Sequence, residues 1–136
     1  MTNHFESIDW EHYETLIAAN GITIDRPYGH AHPHFPEIIY PIDYGYINDT
    51  VAEDNEGIDV FVGSGAKRLV GLIHTTDHRK GDREIKLLYA CTSGEVYLTH
   101  GFINYNPALM QGTLHMRFLM STLWQSQALT NPCPDG

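Results

Sequence analysis

The sequence predicts a mainly β, α+β fold: a small β-barrel with one or two flanking helices. Three observations predict it. The chain has 136 residues, enough for a single domain, residues 1–136, with its own core. Short stretches rich in β-branched and aromatic residues follow one another closely, separated by turns carrying Gly, Asn and Asp. Helical apolar spacing is confined to one or two segments flanking them, and neither a repeat nor an interdomain linker interrupts the chain.

The elements follow in order. Residues 7–19 carry Trp10, Tyr13, Leu16 and Ile17 on one stripe, the spacing of an amphipathic helix; the N-terminal helical region is expected over 1–21. Asn20-Gly21 is a stop, because Gly at C′ takes the left-handed conformation at no Cβ cost. Ile22-Thr23-Ile24-Asp25 alternates like a strand. Pro27, Pro33 and Pro36 keep residues 26–37 out of regular pairing. Strands are expected near 38–40, 44–48 and 58–62, with a turn at 53–57. Two longer ones are expected near 69–77 and 83–91, joined by the hairpin turn His78-Arg79-Lys80-Gly81. Thr92-Ser93-Gly94-Glu95 matches a capping box and starts a second helix. A last strand is expected at 113–118. Leu119, Met120, Leu123 and Trp124 then have the spacing of a short helix or an interface patch, and 130–136 is expected to be disordered.

Composition narrows the function. Lys+Arg number 8 against 17 Asp+Glu, a formal charge of −9. That disfavours nucleic-acid binding, which needs cations to displace phosphate counterions. Cys91 and Cys133 form no CxxC pair, and no apolar run reaches the ~20 residues of a membrane span. With no signal-like N-terminus, a cytoplasmic protein without membrane partners is expected.

The chemistry is concentrated between Tyr40 and Lys86. Asp54, Glu56 and Asp59 crowd one turn and the strand after it, while Asp77 and Asp82 flank the hairpin turn. On strand 58–62, Ile58, Val60 and Val62 share one face and Asp59 and Phe61 the other. Close carboxylates repel unless a cation joins them, and such a cluster suits hard divalent metals and phosphate oxygens. An EF-hand does not fit: with Gly57 at the sixth position, Ala52 and Gly63 would fall at the two end ligands. His30, His32 and His34 form His-x-His-x-His, a zinc-binding alternative to a loop that hydrogen-bonds locally.

These residues resemble the soluble, metal-dependent inorganic pyrophosphatases (family I type). The carriers are Ile24-Asp25-Arg26-Pro27, His32-Pro33, Ile39-Tyr40-Pro41-Ile42-Asp43-Tyr44-Gly45-Tyr46, Gly57-Ile58-Asp59-Val60 and Lys86-Leu87-Leu88. The match is closest to small, truncated bacterial members and covers about 22–91. The resemblance implies an OB-like barrel of five strands and hydrolysis of pyrophosphate to two phosphates by a metal-activated water. It implies Asp54, Asp59, Asp77 and Asp82 as metal ligands, Glu56, Asp59 and Tyr44 as catalytic residues, and Arg26, Tyr40, Tyr44, Lys86 and His34 around the substrate. Mg²⁺ is the implied cofactor, with Mn²⁺, Co²⁺ or Zn²⁺ as alternatives, and a homo-oligomer acting on a small phosphate substrate is the implied form.

The chain departs from that pattern. Glu56 replaces the middle aspartate of the family's Asp-x-Asp-x-x-Asp signature, whose three places here fall on Asp54, Glu56 and Asp59; Glu84 stands at a lysine position, and Lys86 lies two residues further on the same face. An arginine ahead of the tyrosine strand is missing, with His32 or His34 nearest. Tyr28 stands where small relatives carry lysine, and the C-terminal Tyr-Lys pair has no match. Arg26, Lys86 and Arg117 are the basic residues expected near the site. If histidine replaces arginine, activity should shift toward low pH. Two further readings remain: a metal-dependent hydrolase of another phosphoanhydride or a nucleotide, and a non-catalytic metal-binding or assembly module.

Overall fold

The computed structural model describes residues 8–51 and 57–130. Its elements are α1 (Trp10–Asn20), β1 (Ile22–Arg26), β2 (Asp43–Ile47), β3 (Asp59–Val62), β4 (Leu69–Asp77), β5 (Asp82–Tyr89), α2 (Ser93–Ile103), β6 (Met110–Met116) and α3 (Met120–Thr130). The strands form one six-stranded sheet in the order β1-β2-β3-β5-β4-β6. All neighbours are antiparallel except β3 and β5. The expected five-stranded barrel is thus a six-stranded mixed sheet with three helices. Among the described residues no ladder joins β1 to β6.

Period-two alternation gives the sheet two apolar faces. On one, Ile47, Val60, Leu69, Leu72 and Leu87 pack with Ile17, and Trp10, Tyr13 and Leu16 of α1 lie against them. On the other, Tyr44, Phe61, Ile73 and Leu88 pack with Val96 and Ile103 of α2 and Leu123 of α3. The predicted stripe of α1 is therefore its buried side. The helix starts later than residue 7 because Asp9 caps it, accepting from the His12 amide at 3.1 Å. It stops at Gly21, whose φ is 77° and whose N–H donates to the Ile17 carbonyl. Glu14 ties α1 to the sheet: its carboxylate accepts from the Leu69 amide at 2.9 Å and from Arg117 at 2.9 Å.

The capping box forms as read: the Glu95 amide donates to Thr92 Oγ1 at 3.2 Å, and the Thr92 amide donates to Glu95 at 2.9 Å. Glu95 also accepts from the amide and hydroxyl of Ser64, fastening the β3–β4 connection to the start of α2. Beside this junction Cys91 is buried, and burial followed by the Glu95 charge pushes its thiol up to about 12.

Two boundaries differ from expectation. Residues 38–40 make only the isolated bridge Ala31↔Ile39. The loop pairs with itself instead, the His32 amide donating to Ile38 and the Tyr40 amide to His30, because Pro33, Pro36 and Pro41 interrupt any longer ladder. The last strand begins at Met110 rather than 113. Asn104 clamps Gly112 there, accepting from its amide at 2.9 Å and donating to its carbonyl at 3.1 Å. The tail forms helix α3: Leu123 is buried, while Leu119 and Trp124 stay exposed. Residues 131–136, part of the expected disordered tail, lie outside the described residues.

Candidate functional site

A cleft of about 770 Å³ opens on the α2 face of the sheet. Five strands, β1 to β5, carry polar side chains into it. The Tyr44-Gly45-Tyr46 segment of β2 lines it, with Gly45 letting β1 cross closely: a Cβ there would stand 1.8 Å from the Thr23 carbonyl oxygen. A register shift between Ile24 and Arg26 sets Arg26 opposite Tyr44, as bulges commonly re-aim a side chain. The Arg26 guanidinium donates to the Tyr40 hydroxyl and lies 5.5 Å and 5.7 Å from the Tyr40 and Tyr44 ring centres. The two rings stack at 5.3 Å.

Lys86 is the centre of the cleft floor. Its ammonium donates to the Tyr44 hydroxyl at 2.8 Å, Asp59 at 2.8 Å and Glu84 at 3.2 Å. An ammonium has three N–H donors, so all are used. Parallel pairing sets Asp59 of β3 beside Lys86 of β5, and alternation puts Glu84 on the same face. Burial opposes the charge on Lys86, but Tyr44, Asp59 and Glu84 outweigh it and hold the ammonium protonated well above its ordinary range. Burial likewise raises Tyr44, which stays a phenol. Because Tyr44 accepts from Lys86, its own O–H is the donor, and Asp59 is the acceptor beside it.

Asp77 lines the cleft at the far end of β4, directly across the ladder from Asp82. One of its oxygens caps the hairpin turn, accepting from the Arg79 and Lys80 amides at 3.0 Å and 3.3 Å, and the other meets the Arg79 guanidinium at 3.5 Å. Asp82 is half-buried and not among the cleft walls. Asp54 and Glu56 lie outside the described residues. Among the described residues no three His, Cys, Asp or Glu converge as a metal-ligand group.

His30, His32 and His34 do not converge as a three-ligand group, although the His32 and His34 rings lie 5.9 Å apart. His32 lines the cleft and stacks on Tyr40, while the His34 amide donates to its Nδ1 at 3.0 Å. Burial first, then Arg26 and other nearby cations, lowers the His32 pKa. The imidazole nearest the expected arginine position is therefore neutral at pH 7.

The structure brings Arg26, Tyr40, Tyr44, Asp59, Asp77 and Lys86 into one cleft. Arg117 lies elsewhere: its ion pair with Glu14 at 2.9 Å and its bond to the Leu69 carbonyl place it at α1. Arg79 and Lys80 line the cleft instead. Their position in the turn beside Asp77 is the signal that would have found them.

The family model for inorganic pyrophosphatase matches residues 11–92. Among solved structures, an inorganic pyrophosphatase from Neisseria gonorrhoeae superposes with a TM-score of 0.57 at 13% identity, over 83% of this chain and 93% of that one. One from Coxiella burnetii gives 0.53 at 14% identity, over 79% and 90%. One from Thermus thermophilus gives 0.52 at 20% identity, over 79% and 86%. At these identities the superpositions speak for the fold. No curated protein matches the sequence. Among the described residues no helix is long and apolar enough to cross a membrane.

Proposed function

The chain belongs to the inorganic pyrophosphatase family, and on that premise we propose that it hydrolyses inorganic pyrophosphate to two phosphates with the help of divalent metal. The observation that carries this reading is the junction of Asp59, Lys86 and Tyr44, which holds a carboxylate, an ammonium and a phenol within 2.8 Å contacts in one cleft. The acidic side chains offer only oxygen donors, the type that suits Mg²⁺, with Mn²⁺, Co²⁺ and Zn²⁺ as alternatives. Asp54, Asp59, Asp77 and Asp82 are the residues that would hold it. A bound divalent ion supplies neutralisation of phosphate charge and a water that ionises near neutral pH.

The chain's own groups do the rest. Glu56 orients the attacking water and accepts its proton. Tyr44 donates to a phosphate oxygen through the O–H that Asp59 accepts while no substrate is bound, and Tyr40, held by Arg26, donates likewise. Arg26 adds fixed positive charge at the tyrosine pair. Lys86 changes role: with every donor engaged, it positions Asp59 and Tyr44 rather than gripping substrate. His34 orients His32 by its amide. Preorganised donors of this kind act where negative charge develops.

Phosphate release from pyrophosphate with each of the four metals tests the reading, with Asp59→Asn as the control. Turnover that falls by about a thousandfold or more in the variant is expected. No release above the variant with any metal would sink it.

A further inference from the structure

The cleft is larger than pyrophosphate needs. At about 770 Å³ it falls within the ~300–1,000 Å³ of sites that enclose drug-sized organic ligands. It is also two-sided. Arg26, Tyr40 and Tyr44 make a polar end. Ile39, Phe102, Tyr105 and Met110 contribute to an apolar wall. The two sides meet at Tyr40, whose hydroxyl receives the Arg26 hydrogen bond and whose ring lies 5.1 Å from that of Phe102. An anion held at the tyrosine hydroxyls therefore has an apolar surface as its next neighbour. Tyr105 is 82% exposed and Ile39 50% exposed, large side chains that no element among the described residues covers. The fixed charge around the cleft points the same way. Five acidic side chains line it against four basic ones, and Lys86 and Arg79 are already engaged by carboxylates. An excess of carboxylate leaves recognition of the rest of the substrate to apolar contact rather than to charge.

We propose, on the phosphoanhydride-hydrolase reading above, that this site takes a diphosphate monoester whose alcohol carries an apolar chain or an aromatic base. The polar end holds the diphosphate and the wall of Ile39, Phe102, Tyr105 and Met110 holds the organic group. Water adds to the terminal phosphorus, and the bond from that phosphorus to the bridging oxygen breaks. The bridging oxygen leaves with the organic phosphate. A diphosphate monoester trianion and water give a phosphate monoester dianion and dihydrogen phosphate, with no change of oxidation state.

The test measures phosphate release by the full chain with Mg²⁺ from pyrophosphate, ADP and geranyl diphosphate, each well below its KM. One organic diphosphate should have a higher kcat/KM than pyrophosphate. ADP in the lead identifies an aromatic base as the group on the wall, and geranyl diphosphate an aliphatic chain. Tyr105→Ser and Ile39→Ser should each lower the organic kcat/KM by about tenfold, with pyrophosphate changed by less than about twofold. Calorimetry with a methylene-bridged analogue of the preferred ester reads the same contacts without turnover, and both variants should weaken its binding. Pyrophosphate cleaved faster than both esters, or variants that affect all substrates alike, overturns this inference and leaves the pyrophosphatase reading standing. No release from any of the three, with no analogue binding, overturns both.

Discussion

Two ion pairs of nearly equal length lie on opposite faces of one sheet. Lys86–Asp59 measures 2.8 Å and Arg117–Glu14 measures 2.9 Å. Surroundings separate them. Lys86 and Asp59 are 8% and 20% exposed and the ammonium faces a second carboxylate and a phenol, whereas Arg117 and Glu14 are 19% and 36% exposed and Glu14 also accepts from a backbone amide. A buried charge whose partner is removed is strongly destabilising, and a half-exposed pair is worth little. The Arg117 pair is thus a tie between α1 and the sheet, and the Lys86 cluster a charged floor that the fold stabilises only as a set. Distance alone would have ranked them equal.

The sharpest way to break this comparison is Lys86→Met. It leaves Asp59 and Glu84 close together without their ammonium, so a loss of about 3 kcal/mol is expected in denaturant unfolding. Added Mg²⁺ should restore part of that loss by replacing the missing charge. An unfolding midpoint equal to wild type would show the cluster to be no more buried in effect than its counterpart. Glu14→Gln comes next, with a loss of about 1 kcal/mol and unchanged hydrolysis. A fall in turnover comparable to that of a cleft variant would mean that the two faces are coupled.

The smallest effect is that of pH. The Leu69 amide, then Arg117, holds Glu14 below its ordinary 4.5. Burial pushes Glu95 upward, but its bonds from Thr92 and Ser64 outweigh burial and leave it lowered too. Both contributions are complete above 4.5 and are lost as pH falls through the depressed folded values. Thermal melts should therefore decline below pH 4.5, and less steeply in Glu14→Gln. Melts of wild type and variant that run parallel would assign the acid sensitivity to other groups. His32 acts in the same direction at higher pH: its lowered pKa means that stability present above the ordinary 6.5 is lost as pH falls. The expected gain of activity at low pH from a charged histidine is opposed by that cost.

Local signals carried much of the fold. Thr92 and Glu95 define a helix start within four residues, and the alternation of Asp59 with Val60 assigns each side chain to its face. Tyr44-Gly45-Tyr46 and the Asp77↔Asp82 turn were legible for the same reason. What escaped depends on long-range pairing. Arg117 meets Glu14 across 103 positions, and nothing beside either residue announces it. The short stretch 38–40 looked extended because it is, yet prolines on both sides leave it only a bridge. Asn104 clamping Gly112 moved the start of the last strand. The apolar wall escaped because Phe102 and Met110, each half-buried in the structure, belong to α2 and β6, far along the chain from the tyrosine strand they face across the cleft.

Cys91 gives the molecule a built-in clock. Only thiolate reacts with alkylating reagents, and this thiol is both sealed under the sheet and held near 12. In the closed protein it is chemically silent at neutral pH. Each modification of Cys91 therefore counts an opening of the junction where Glu95 fastens the β3–β4 connection to α2, and a reagent as simple as iodoacetamide times it.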